Sequence, residues 1–195
     1  MNTQSAKKEN LTTESVNRLE KFIAISREDG APLNVALIYE DAQTREWARE
    51  AHERITKFAG EQGVRPTWWN LNNLGEPGVL AAVVSTAMRA DVIVLAARAE
   101  EGMPLAFYTW INAWLPNRYF SGGVLLALLG KTQHSGARRA RVGEYLREVA
   151  RQGRMSFVLE TRTLEGGANG SNGYAHLNGR KGSSYPSRSL ASIRL

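Results

Sequence analysis

The residues best suited to hold a ligand lie in the stretch Gly130-Lys131-Thr132-Gln133-His134-Ser135-Gly136. It offers a lysine cation, two hydroxyls, an amide and an imidazole between two glycines, and a helical pattern begins just after it. Exposed N–H groups and the positive end of a helix dipole favour an anion or the polar edge of a planar ring. An ordinary strand-to-helix loop with a serine N-cap has the same composition, so both readings stand. Two other stretches could converge on this one. Glu40 to Arg45 ends in two further donors, Thr44 and Arg45, with Thr44 placed to cap the following helix. It also sets Glu40 beside Asp41, and two carboxylates repel a phosphate dianion. Ala97 to Met103 carries Arg98 and Gly102 together with Glu100 and Glu101, whose plainer role is solvated charge.

Other chemistries find no support. The chain has no cysteine, which excludes disulfides, thiolate metal sites and a thiol nucleophile. His52, His134 and His176 are far apart and lack metal-ligand spacing. His52 sits among charged neighbours, as a surface histidine does. No glycine-rich dinucleotide fingerprint, no Walker loop and no nucleophile elbow is present. Trp68, Trp69, Trp110 and Trp114 point to core packing or a protein interface.

The elements that must position these loops follow from periodicity. A polar arm, residues 1–12, precedes a short amphipathic helix from about Thr13 to Ser26, with Val16, Leu19, Phe22 and Ile23 on one face. The first strand, Asn34 to Tyr39, is apolar throughout, as a strand buried on both faces is. The helix after it carries Trp47, Ala48, Ala51, Ile55 and Phe58 inward and ends at Gly60 or Gly63. A second strand from about Arg65 to Asn70 has an edge-strand composition, and Glu76-Pro77 opens the next helix. Asp91 to Ala96, a helix started by Pro104, Gly123 to Leu129, a helix with five arginines between Arg138 and Arg151 and capped by Gly153, and Ser156 to Leu159 complete the order. Short apolar strands alternating with amphipathic helices predict an α/β fold with a parallel sheet covered on both faces. Right-handed crossovers make the flavodoxin-like order 2-1-3-4-5 the most economical, with the extra helix at the N-terminus. Ligands in such a sheet bind beyond the carboxyl ends of the strands where the order reverses, between strands one and three.

The 195 residues suffice for one core, placed here at 13–163. From Leu164 onward Gly, Ser and Asn dominate, which predicts a disordered tail over 164–195. That tail, from Gly166 to Leu195, holds four basic residues (Arg180, Lys181, Arg188, Arg194) and no acidic one, against a net charge of +6 for the whole chain. The body is thus only mildly basic, and nucleic acid is not an expected partner. No apolar run is long enough to span a bilayer, and Met1 to Glu14 has no apolar signal region. A cytoplasmic protein without membrane association is expected.

The stretch Ala90 to Ala96, and then Pro104-Leu-Ala-Phe-Tyr-Thr-Trp-Ile-Asn-Ala-Trp-Leu115, resembles the NADPH-dependent FMN reductase family. There an Ala-Asp-led strand runs into a flavin loop, a proline-started helix follows, and a glycine-led strand ends in a Gly/Ser/Thr loop. Gly123–Leu129 and Gly130–Gly136 fit the last feature, and the likeness extends over roughly Asn34 to Leu159. The resemblance implies a flavoprotein that binds FMN across the three loops, takes electrons from NAD(P)H or passes them to a small acceptor, and is often a dimer. It would place Thr44, Arg45, Ala97, Arg98, Gly102, Gly130, Lys131, Thr132, Gln133, His134, Ser135 and Gly136 around the cofactor, which itself carries the redox chemistry. Two loops depart from the family pattern. Tyr39-Glu-Asp-Ala-Gln-Thr-Arg45 replaces a Gly-Ser-type phosphate cradle, and Arg98, Glu100 and Glu101 replace the residues against the flavin ring. The alternative is a flavodoxin-like or receiver-like module without cofactor that acts through protein contacts. Glu40-Asp41 stand where a receiver binds Mg²⁺, but no aspartate stands at or near Ala96 to accept a phosphoryl group.

Overall fold

A computed structural model describes residues 12–26, 31–99, 102–118, 122–131 and 136–163. Five parallel strands form one sheet: β1 (Leu33–Tyr39), β2 (Val64–Asn70), β3 (Val92–Ala97), β4 (Val124–Lys131) and β5 (Ser156–Thr163). Their order is β2-β1-β3-β4-β5, the flavodoxin-like arrangement expected from the alternation of elements. The helices are α1 (Thr13–Ser26), α2 (Ala42–Ala59), α3 (Pro77–Arg89), α4 (Leu105–Trp114) and α5 (Gly136–Gln152).

The sheet buries both faces, and each has its own core. On one side Phe107, Trp110, Ile111 and Trp114 of α4 join Val83 of α3 and Leu146 of α5. On the other, Trp47 and Ile55 of α2 pack over β1 and β3 with Leu37 and Val94. Right-handed crossovers place three helices on the first face and only α2 on the second, which leaves β4 and β5 bare there. The N-terminal helix fills this gap. Leu19 and Ile23 of α1, 1% and 2% exposed, join Leu126, Leu128 and Val158 in the second core. Burying two such side chains is worth about 3–6 kcal/mol of apolar transfer, so α1 is an integral layer of the domain. Its start is held by Glu160, 7% exposed, which accepts from the Thr12 N–H at 3.1 Å, the Thr12 hydroxyl at 2.6 Å and the Ser15 hydroxyl. Thr12 therefore belongs to the fold, while residues 1–11 and the expected tail 164–195 lie outside the described residues.

Several boundaries differ from the sequence expectation. β4 continues through Gly130 and Lys131, which pair with Arg162 and Thr163 of a β5 four residues longer than the apolar run Ser156–Leu159. At the amino ends of the strands, the Arg118 guanidinium donates to the Ala87, Ala90 and Gly122 carbonyls at 2.9, 2.9 and 3.0 Å. Gly123, at φ 120°, lies under it, and a Cβ there would come within 2.5 Å of the Arg118 Nη2.

Helix α5 ends in a Schellman arrangement: the Arg154 N–H bonds the Arg151 carbonyl at 3.2 Å and the Met155 N–H bonds the Ala150 carbonyl at 2.8 Å. The left-handed residue in it is Arg154, with φ 52°, one position after the expected cap Gly153. Gly153 is small for another reason, since a Cβ there would lie 3.2 Å from Leu115. Arg154→Gly is expected to stabilise the domain by about 0.5–1 kcal/mol, because relief of the left-handed strain exceeds the added chain entropy. Urea unfolding measures this, and a lowered midpoint contradicts it.

Candidate functional site

The switch point of the sheet lies between β1 and β3, where the described residues include the whole loop Glu40–Arg45 and, of Ala97–Met103, residues 97–99 and 102–103. After β1 the chain turns into α2 through a capping box. The Asp41 carboxylate, as N-cap, accepts from the Thr44 N–H at 2.8 Å, and the Thr44 hydroxyl accepts from the N–H groups of Asp41 and Glu40 at 2.8 and 3.0 Å. The N-cap is therefore Asp41, three residues before the Thr44 expected in that role. Thr44 is wholly buried, so its hydroxyl serves the turn and presents nothing to a ligand.

Arg98 closes the crevice from the β3 side. Its guanidinium Nε donates to the Asp41 carboxylate, and its Nη2 donates to the Gln43 side-chain carbonyl at 3.1 Å. The Arg98 backbone N–H donates to the Glu40 carboxylate at 2.7 Å. Both acids thus point into the crevice, where they accept from the Arg98 N–H and guanidinium. Burial alone would raise the Asp41 carboxyl, but the Thr44 N–H and the Arg98 guanidinium outweigh it and hold the group below the usual carboxylate range. The next residue, Ala99, is buried with φ 56°, an uncommon conformation for a residue with a side chain. The Asn72 amide donates to the Glu40 carbonyl at 3.0 Å, which ties the 3-10 turn after β2 to the same loop.

The remaining expected ligand residues scatter. The Arg45 guanidinium lies 5.5 Å from the Tyr39 ring and 6.0 Å from the Trp68 ring. Trp68 is on β2, across β1 from β3, so Arg45 leans away from the switch point. His52 packs edge-on to the same Trp68 ring at 5.8 Å, and burial lowers its pKa. Ala97 and Gly130 are buried within strands, Gly102 stands at φ 95°, Lys131 is exposed at the end of β4, and Gly136 opens α5. Thr132, Gln133, His134 and Ser135, like Glu100 and Glu101, lie outside the described residues.

One ion pair near the carboxyl ends of the strands was not foreseen. Arg162 of β5 meets Glu50 of α2 at 2.7 Å, their side chains 13% and 15% exposed, and its guanidinium lies 5.5 Å from the Trp47 ring. The apolar run of the last strand stops before Arg162, so only the alternation Leu159-Glu-Thr-Arg-Thr163 signalled a longer strand. Asp41 left a clearer signal, the Asp-x-x-Thr spacing of a capping box.

Among the described residues, the part of the crevice between β1 and β3 does not fit the phosphate of a flavin nucleotide. A phosphate at this point needs unpaired N–H groups and net positive charge. Those of Glu40, Asp41 and Arg98 are bonded within the protein, and a dianion would meet two carboxylates. No group of His, Asp or Glu among the described residues could hold a metal ion. No described helix is long and apolar enough to cross a membrane. No family model, no curated protein and no solved structure matches the chain.

Proposed function

We propose that this chain is a flavodoxin-like domain that acts through its surfaces as a protein-interaction module, with its ligand crevice closed by its own carboxylates. The observation that carries this reading is the placement of Glu40 and Asp41 on the Arg98 N–H and guanidinium. An internal anion already stands where an external one would bind, and expelling it would leave two carboxylates facing a phosphate. Electron transfer through FMN, with NAD(P)H as donor, is the competing reading that the sequence resemblance supports.

Purified full-length protein separates the two. It is expected to be colourless, without the visible flavin absorption band, and to leave the fluorescence of added FMN unquenched. A yellow protein carrying stoichiometric FMN overturns the proposal and supports the electron-transfer reading. Fold alone does not decide between them, because one scaffold hosts many sites.

A further inference from the structure

Charge is spread unevenly over the helices. Helices α2 and α5 carry seven charged residues each, whereas α4 carries none and α3 only Arg89 at its carboxyl end. The two uncharged helices are neighbours on the same core. Their outer sides are exposed at Gly78, Ala81 and Ala82 of α3 and at Leu105, Thr109 and Asn112 of α4. Leu105, 82% exposed, is the most exposed large apolar side chain among the described residues. Depletion of charged residues is what sets the centre of a protein interface apart from ordinary surface.

The two ends of this face differ in sign. Glu76 precedes α3 and Arg89 ends it, both are exposed, and neither has an ion-pair partner among the described residues. Arg118 and Asp91 also lie at the Arg89 end, where their charges oppose each other, so Arg89 leaves that end positive.

We infer that the α3–α4 face pairs two copies of this chain about a two-fold axis that crosses α3 near Ala82 and sets the helices antiparallel. Glu76 and Arg89 lie about 20 Å apart along the helix, with Ala82 close to their midpoint. The axis therefore lays Glu76 of each copy against Arg89 of the other. Parallel pairing would set Glu76 against Glu76 and align the helix dipoles unfavourably. Gly78, Ala81 and Ala82 let the two α3 axes approach to about 8 Å. Copies of a chain with net charge +6 repel one another, so an uncharged face is where they can meet. A partner of a single sign would match only one end. The two helices offer a face about 20 Å long and two helix diameters wide. With the uncharged turns Leu71–Gly75 and Leu115–Asn117 at its ends, pairing buries about 1,000 Å² in total, at the small end of specific interfaces. A micromolar dimer follows. The inference rests on the interaction role proposed above and names the partner.

Sedimentation velocity of the full chain tests it. Wild type is expected to pass from monomer to dimer over the micromolar range. Glu76→Arg and Arg89→Glu each set like charges together at both contacts and should weaken the dimer at least about tenfold. An equimolar mixture of the two variants should recover it, because each then meets the opposite charge on the other at both contacts. Ala82→Arg, at an exposed position on the axis, should abolish pairing. A wild type that stays monomeric up to about 1 mM overturns the inference. So does a mixture that associates no more tightly than its components, or a dimer that Ala82→Arg leaves intact. A monomeric, flavin-free protein refutes this interface and leaves the closed crevice standing, while a yellow dimer that follows the charge reversals refutes the crevice and keeps the pairing.

Discussion

Replacing Arg162 by alanine is expected to lower the stability of the domain by about 3 kcal/mol. The Glu50–Arg162 pair joins the end of β5 to α2 at 2.7 Å with both side chains at or below 15% exposure. Removing one partner of a buried pair strands the other charge in a poor dielectric, at about 3–5 kcal/mol. Residual exposure puts this pair at the lower end. The guanidinium also lies 5.5 Å from the Trp47 ring, so Arg162→Lys keeps the charge but loses the planar contact and should fall between wild type and alanine. Glu50→Leu combined with Arg162→Leu should recover most of the loss, since no unpaired charge remains. The urea midpoint reads all three. A loss under about 1 kcal/mol for Arg162→Ala would mean that the pair is a solvent-screened surface bridge, and the argument fails.

The contrast between this pair and the sheet shows what kind of information the sequence carries. The strands were legible because burial on both faces demands uninterrupted apolar runs, and Val92 to Ala97 is buried at every position. The strand order followed, because handedness and short connections leave few options for five such runs. The ends of elements were less legible. Gly130 reads as the start of a loop, yet it extends β4, because hydrogen bonding to β5 overrides its poor strand propensity. Glu160 and Arg162 lie just past the apolar run that marks the last strand, yet one anchors α1 and the other pairs with α2. Their partners, Ser15 and Glu50, lie more than one hundred residues away in the chain, and no local pattern encodes a meeting at that separation. The candidate site was legible by position but not by direction. Topology placed Glu40, Asp41 and Arg98 at the switch point, but only the geometry shows that the acids turn inward onto Arg98.

That inward turn has a measurable consequence at Asp41. Asp41→Ala is expected to cost about 2 kcal/mol, roughly half from the lost N-cap and half from the lost pairing with Arg98. The side chains of Arg98 and Asp41 are 30% and 33% exposed, which limits the ion pair to a modest share. Asp41→Asn retains a capping oxygen and removes the ionic part of the contact with Arg98, at about 1 kcal/mol. The sign of the pH dependence follows from the depressed pKa. A carboxyl held below its unfolded value contributes stability that is fully present above about pH 4 and is lost as the pH falls through the folded value. The gap between wild type and Asp41→Asn should therefore be constant near neutrality and narrow in acid. A gap that widens in acid contradicts the assignment. The same variant tests whether the carboxylate stands in for an external anion. With the Asp41 charge gone, one of the groups that neutralise the Arg98 guanidinium is lost, and added sulfate should raise the melting midpoint of Asp41→Asn more than that of wild type. Equal shifts for the two proteins would show that Asp41 does not occupy an anion position, and the case for a crevice closed from within would lose its electrostatic basis.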